Sequence, residues 1–332
     1  CPLGLHRRMR SQKMTKPRLW ITRRLSDATL ARATRNYDVV VNNDDTPGTA
    51  EQIIAASADF DALLPCHSEQ FSAEVVAQFA NRLRIVANHS VGVDHCDLDA
   101  LRAAGIVVTN TPDVLSDATA ELAMLLMLGA ARHAVAGDRI VRTGAWDSWS
   151  PAFMLGKQVT GARLGIIGMG RVGQAFAAKA RGFDMEVHYY NRKELTAKQA
   201  QGATYHDSAE SLLGVADFLS LHCPATPETT NLLDAKRIAL LPDGAIVVNT
   251  ARGALVDENA LIDALASGKI TGAGLDCFKT EPGGNPDFAQ FDNVFMLPHI
   301  GSATRQTRDA MGFRALDNLD AFFAGDDPRD RL

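Results

Sequence analysis

Short runs of β-branched and apolar residues alternate with amphipathic stretches along nearly the whole chain. In the first third, strands are predicted at Leu19–Thr22, Asp38–Val41, Ala62–Leu64, Arg84–Ala87 and Ile106–Thr109, with helical stretches such as Ala50–Ala56 and Ala73–Arg82 between them. Such alternation indicates a parallel sheet covered by helices on both faces. Asp117–Ala131 opens with a polar cap, is rich in Leu, Met and Ala, and predicts a long helix. An aromatic, irregular connection follows at Trp146-Asp147-Ser148-Trp149-Ser150-Pro151. A second series then predicts strands at Arg163–Ile167, Glu186–Tyr190, Phe218–His222, Ala245–Asn249, Thr271–Leu275 and Asn293–Leu297. Six strands at this spacing match a dinucleotide-binding sheet. The last helical segment, Thr304–Phe323, has no strand pattern after it and is expected to return to the first domain.

The expected fold is therefore α/β, with two doubly wound parallel-sheet domains, one flavodoxin-like and one Rossmann-like, and an active-site cleft between them. Residues 17–112 together with 304–332 are assigned to the first, 113–303 to the second. The length of 332 residues agrees with two domains. Residues 1–16 are basic and lack a long apolar core, so an unstructured extension is expected there rather than a secretory signal; a mitochondrial targeting remnant is the minor alternative.

Composition narrows the function classes. A hydrophobic content of 46% with 22% charged residues is that of an ordinary globular protein. The net charge of -5 offers no footprint for nucleic acid or an anionic membrane, and neither partner is expected. The longest apolar run, Leu122–Ala131, is too short to span a bilayer and reads as a buried or subunit-contacting helix. Five scattered cysteines form no C-x-x-C pair and no metal-ligand spacing. No metal is expected, and a reducing, cytoplasmic setting suits such cysteines better than a disulfide framework.

The chemistry is concentrated just after the strands, where open α/β sheets bind ligands. Gly168-Met169-Gly170-Arg171-Val172-Gly173 follows a buried strand and opens a helix. Gly168 would allow the tight turn, Gly170 would admit a pyrophosphate close to the backbone, and Gly173 would let helix and strand pack closely. The helix start would then hold the phosphates. Further along lie Thr250-Ala251-Arg252-Gly253, then Asp276 with Glu281-Pro282 five positions on, then Pro298-His299-Ile300-Gly301. In the first domain Ser90-Val91-Gly92-Val93-Asp94 follows a strand in the same way. One cation, one carboxylate and one histidine at strand ends suit proton and hydride chemistry on a carboxylate-bearing substrate.

These residues are recognisable together. Gly168–Gly173, Asn249-Thr250-Ala251-Arg252-Gly253, Gly274-Leu275-Asp276-Cys277-Phe278 with Glu281-Pro282, Pro298-His299-Ile300-Gly301 and the first-domain loops Ser90–Asp94 and Asn110-Thr111-Pro112-Asp113-Val114 occur in one order and spacing. In them the chain resembles the D-isomer-specific 2-hydroxyacid dehydrogenase family over essentially its full length after the extension. The resemblance implies Arg252, Glu281 and His299 as the catalytic set. Arg252 would hold the substrate carboxylate and polarise the keto oxygen, aided by backbone N–H groups near Val91 and Gly92. His299 would protonate the carbonyl oxygen as hydride arrives, and Glu281 would orient it and favour the imidazolium. Along the cofactor it implies Gly168, Gly170, Arg171, Val172, Gly173, Asn191, Arg192, Lys193, Cys223, Pro224, Thr250, Ala251, Asp276 and Gly301, with Asp276 orienting the nicotinamide carboxamide.

Cofactor choice turns on Asn191-Arg192-Lys193. An NAD site should present an acid there for the ribose 2′-hydroxyl, yet Asn191 stands 23 positions after Gly168 and two cations follow. NADPH is therefore expected over NADH, since Arg192 and Lys193 would pair with a 2′-phosphate. These residues, the Trp146-x-x-Trp149-x-Pro151 connection and the Asn110–Val114 loop look most like glyoxylate/hydroxypyruvate reductases. That implies reduction of a small 2-oxo acid to a D-2-hydroxy acid, a homodimer through Ala120–Ala131 and the following arm, and Trp149 reaching the partner's substrate pocket or packing in the dimer. The alternatives are an NAD-dependent 2-hydroxyacid or phosphoglycerate dehydrogenase and a cofactor-sensing, corepressor-like binding protein. A formate dehydrogenase is disfavoured because position 281 is Glu and not Gln.

Overall fold

A computed structural model describes residues 16–332, so the expectation for the N-terminal extension lies almost wholly outside the described residues. The described chain forms two compact units, one ending at Pro112 and completed by Asp309–Leu332, the other Asp113–Arg308. The division falls inside the last helix, Arg305–Ala324, a few residues beyond the expected boundary.

The first unit carries strands β1 (Arg18–Ile21), β2 (Asp38–Val41), β3 (Ala62–Leu64), β4 (Ile85–Ala87) and β5 (Val107–Thr109). They form one sheet in the order β2-β1-β3-β4-β5, every pairing parallel. Helix starts are written in the sequence: Thr49 and Gln52 form a reciprocal capping box, and Ser26, Ser72 and Asp97 each accept an amide of the first helical turn. The stretch Ala73–Arg82 is helical only over Ala73–Val76. Beyond it Gln78 and Phe79 donate three residues back, so the turn tightens and ends. The closing helix returns to this sheet, burying Ala315, Leu316 and Leu319 against Leu19, Ile21 and Ile85. Arg32 fastens it through Asp317 and Asp320. The tail is locked too: Arg314 and Asn318 hold Asp330, and Arg331 bridges Thr109 antiparallel to the sheet.

The second unit holds β6 (Arg163–Ile167), β7 (Glu186–Tyr190), β8 (Thr204–His206), β9 (Phe218–Leu221), β10 (Ala245–Asn249), β11 (Ile270–Leu275) and β12 (Val294–Met296). The order β12-β11-β10-β9-β6-β7-β8 is wholly parallel and reverses direction of growth between β6 and β9. Seven strands replace the six expected. The addition, Thr204–His206, is a three-residue edge strand with no buried position, so it has no apolar signature. Every position of β9 and β10 is buried, as a sheet covered on both faces requires. Helix Ser116–Ala131 lies on this sheet because glycines admit it: a Cβ on Gly274 would stand 2.7 Å from that of Leu126, and one on Gly129 would stand 2.1 Å from the Phe295 ring. Among the described residues no single helix is long and apolar enough to cross a membrane.

Candidate active site

At the point where the second sheet reverses, the β6 strand runs into the glycine turn. Gly168 adopts φ +91°, and a Cβ there would meet the Cys223 backbone nitrogen at 2.4 Å, so the turn is pressed against the end of β9. Glycine alone satisfies both conditions. Gly173 approaches the Gly168 carbonyl, where a Cβ would stand 2.7 Å away, which seats the helix Arg171–Arg181 on its strand. Around Gly170 no atom lies within 4 Å of a Cβ, and the helix it begins has no side-chain cap. The turn thus presents open space and uncapped amides at a positive helix end, the features that suit a dinucleotide pyrophosphate.

Asn191, at the end of β7, is committed to this turn. Its Oδ1 accepts the Met169 amide at 2.7 Å and its Nδ2 faces the Met169 carbonyl at 3.4 Å. It braces the glycine loop from behind, while Arg192 and Lys193 beside it are exposed. Arg171 is exposed as well, its guanidinium paired with Asp113, which leaves its backbone amide and those of Val172 and Gly173 as the groups facing the turn. Cys223 is half-buried, burial pushing its thiol up to about 11, and the Pro224 carbonyl accepts from Thr229.

The end of β10 builds the cationic loop. Buried Asn249 accepts the Ala251 amide through Oδ1 and donates to the Arg252 carbonyl through Nδ2. Thr250 lies 3.4 Å from His222 Nδ1, and the other nitrogen of His222 meets Ser220. Arg252 itself reaches back to the Ala251 carbonyl at 2.8 Å. Gly253 touches the next loop so closely that a Cβ would fall 1.9 Å from the Phe278 carbonyl carbon.

The third element joins the ends of β11 and β12. His299 Nδ1 and Glu281 Oε2 are 2.6 Å apart, and Glu281 Oε1 accepts the Phe278 amide at 2.8 Å. With Nδ1 given to the carboxylate, Nε2 is the nitrogen presented for proton transfer. His299 sits at φ +53°, a strained setting for a non-glycine residue. Asp276 holds it there: its two oxygens accept the amides of Ile300 and Gly301, each at 2.8 Å. Asp276 is 0% exposed and burial pushes its carboxyl up to about 6, although the two amides and nearby His299 oppose the rise. Holding the His299 turn is thus a task of Asp276 beside the expected one of orienting a carboxamide. Burial drives the His222 imidazole down to about 3.

Val91 and Gly92 belong to the first unit. Their carbonyls accept from Asn110 Nδ2 and Ser90 Oγ, both at 2.8 Å, which fixes the orientation of that loop. Trp149 is 74% exposed in the connection after the second helix of its unit. Residue type alone does not mark Asn249 as a brace or Glu258 as a partner of the Lys279 loop; for Asn249 the polar residue closing a buried strand is the available signal.

A glycine turn at a switch point, beside a histidine–carboxylate pair, defines a dinucleotide domain built for proton and hydride chemistry. Residues 124–301 match the model of the D-isomer specific 2-hydroxyacid dehydrogenase NAD binding domain. Over 316 residues the chain is 42% identical to glycerate dehydrogenase of Hyphomicrobium methylovorum, covering 95% of this chain and 98% of that one. It is also 42% identical to glyoxylate reductase of Pyrococcus horikoshii over 317 residues, covering 94% and 95%. Among solved structures, the NADPH-dependent glyoxylate/hydroxypyruvate reductase of Sinorhizobium meliloti, bound to NADP and malonate, matches with TM-score 0.85 and 31% identity over 96% of this chain and 97% of that one. The chain belongs to the D-isomer specific 2-hydroxyacid dehydrogenase family and is an oxidoreductase of that class.

Proposed function

We propose that the protein reduces a small 2-oxo acid, of the size of glyoxylate or hydroxypyruvate, to the D-2-hydroxy acid, with NADPH as the preferred reductant. When bound, the reduced nicotinamide supplies the hydride. Arg252 grips the substrate carboxylate, and its fork of donors suits that bidentate contact. His299, anchored at Nδ1 by Glu281, gives its proton from Nε2 to the carbonyl oxygen and takes it back in the reverse direction. The observation that carries this reading is the 2.6 Å His299–Glu281 pair at the strand ends of the cofactor domain.

The NADPH preference is supported by Asn191, Arg192 and Lys193. Position 191 carries an amide turned to Met169 in place of a carboxylate that would repel a 2′-phosphate, and two exposed cations, Arg192 and Lys193, lie next to it. The Sinorhizobium enzyme named above, NADPH-dependent and bound to NADP, is a relative with that chemistry. A homodimer is the assembly we infer. Leu125, Val135, Val141, Trp146, Trp149, Phe153 and Leu155 are large apolar side chains left exposed along one helix pair and the connection after it. Such a row needs a cover, and a second copy provides one.

Initial rates with NADPH and NADH against glyoxylate, hydroxypyruvate, pyruvate and 2-ketogluconate test the reading. Arg252→Ala and His299→Ala should lose activity while cofactor binding persists. Near-normal turnover in either variant, or higher efficiency with NADH, would sink the corresponding part.

A further inference from the structure

The loop that carries Glu281 is exposed, and its own bonds, the Phe278 amide to Glu281 and the Gly284 amide to the Thr280 carbonyl, lie within it and do not tie it to a neighbouring element. Lys279, Thr280, Glu281, Pro282 and Gly283 all face solvent, yet the His299 contact demands a fixed carboxylate. Its anchor comes from another element. Glu258 is the first residue of the helix Glu258–Ala266, next to the N-cap Asp257, and is only 9% exposed. Its Oε1 accepts the Lys279 amide at 2.8 Å and its Oε2 accepts Asn285 Nδ2 at 3.0 Å. The two bonds clamp the loop on either side of Glu281. Asn285 cannot turn over to suit a different partner, because its Oδ1 already accepts the Asp287 amide at 3.0 Å.

We propose that Glu258 is a positioning residue for the reaction: it sets Glu281, and through Glu281 the His299 imidazole, against the loop bearing Arg252. The proposal rests on the reading of His299 as acid and base. The same helix follows directly from Arg252-Gly253, so a single carboxylate ties the cation's loop to the histidine's partner. A buried carboxylate with two loop donors is suited to this, since each hydrogen bond to an ionised acceptor is short and directional.

The pattern of donors dictates the experiment. In Glu258→Gln the new amide would face the Asn285 amide, donor against donor, while the Lys279 contact stays. In Asn285→Asp two carboxylates would face each other. In the double variant Glu258→Gln/Asn285→Asp, the glutamine amide donates to the aspartate, whose other oxygen still accepts from Asp287. Rates should be scaled to the concentration of cofactor-binding sites. Glu258→Gln is expected to lower kcat by roughly tenfold or more, with the cofactor Kd near the wild-type value and KM changed less than kcat. The double variant should recover kcat to within a few-fold of wild type. Asn285→Ala, a change in the loop alone, should lose several-fold in kcat and covers the case in which Glu258→Gln does not fold. Native kcat in Glu258→Gln or in Asn285→Ala overturns the proposal, as does failure of the double variant to recover while it is folded and binds cofactor. The underlying reading is judged separately by Glu281→Gln and His299→Ala. If those retain native turnover, the acid–base reading fails; if they are inactive and Glu258→Gln is not impaired, only the positioning role fails.

Discussion

Replacing Gly253 by alanine separates the geometry of the site from its chemistry. The added methyl would lie 1.9 Å from the Phe278 carbonyl carbon, 2.2 Å from its oxygen and 2.3 Å from the Lys279 nitrogen. All three are backbone atoms, so no rotamer change relieves the overlap. Ordinary contact between such atoms is about 3.5 Å, and the two loops must therefore part by about 1.5 Å. Overpacking of this kind costs about 1–3 kcal/mol. The larger effect is catalytic, because one loop carries Arg252 and the other Glu281, and a displacement of about 1 Å can cost about a hundredfold in rate. The expected result is a fall of about two orders of magnitude in kcat for 2-oxo acid reduction with a modest drop in the urea midpoint. Cofactor binding, followed by nicotinamide fluorescence, should weaken far less than kcat falls, because the glycine turn is on another strand and only Thr250 and Ala251 of the expected cofactor contacts lie beside Gly253. Gly170→Ala is the matched control. Nothing lies within 4 Å of its Cβ, so stability should hold while cofactor affinity falls at least tenfold. A Gly253→Ala protein with native stability and turnover within threefold of wild type would refute the reasoning.

Three further outcomes follow from other contacts. Asn191→Asp keeps the Met169 amide bond but sets a second oxygen against the Met169 carbonyl and adds charge beside the expected 2′-phosphate; KM for NADPH should rise about 10–100-fold, from about 1–3 kcal/mol of lost hydrogen bonding and repulsion, whereas unchanged KM values would contradict it. For Asp276 the sign is unusual: its carboxyl is raised from 3.8 to about 6, so the folded state holds the proton more tightly and this group's contribution to stability is lost as pH rises between those values. In parallel urea titrations at pH 4 and pH 6, wild type should therefore lose ground relative to Asp276→Asn as pH rises, by at most about 3 kcal/mol; a gap that widens in favour of wild type would reverse the inference. Trp149→Ser with Leu155→Ser should shift the sedimentation coefficient toward a single chain if the exposed row is the dimer face, and an unchanged assembly would exclude it.

Which features the sequence discloses depends on how far each interaction reaches along the chain. Strands β2, β3, β6, β7 and β10 agree to the residue with the sequence reading, because each is a compact run of strand-forming residues ended by a polar, proline or glycine residue. The tight turn at Gly168 and the close helix contact at Gly173 are equally visible, since the glycine spacing marks both, while the press of Gly168 on Cys223 is decided across the sheet. His206 and its neighbours give no such signal: β8 is a three-residue edge strand that, unlike the edge strand β2 with its three valines, carries no aliphatic run. The helix expected to reach Arg82 illustrates the opposite error, where apolar spacing persists past Val76 although the backbone has already tightened. Side chains whose work is done across the fold were the least legible. Asn191 could be recognised as a departure from an acid, but its grip on Met169, 22 positions away, belongs to the packed sheet. Asp276 reads in the sequence as a cofactor contact, but its hold on the histidine turn 24 and 25 residues on shows only in the fold. Glu258 carries no signal in the sequence, because its partners are 21 and 27 positions distant. The residues proposed to meet substrate stand out by type and motif; those that hold them in place emerge only when the strand ends are brought side by side.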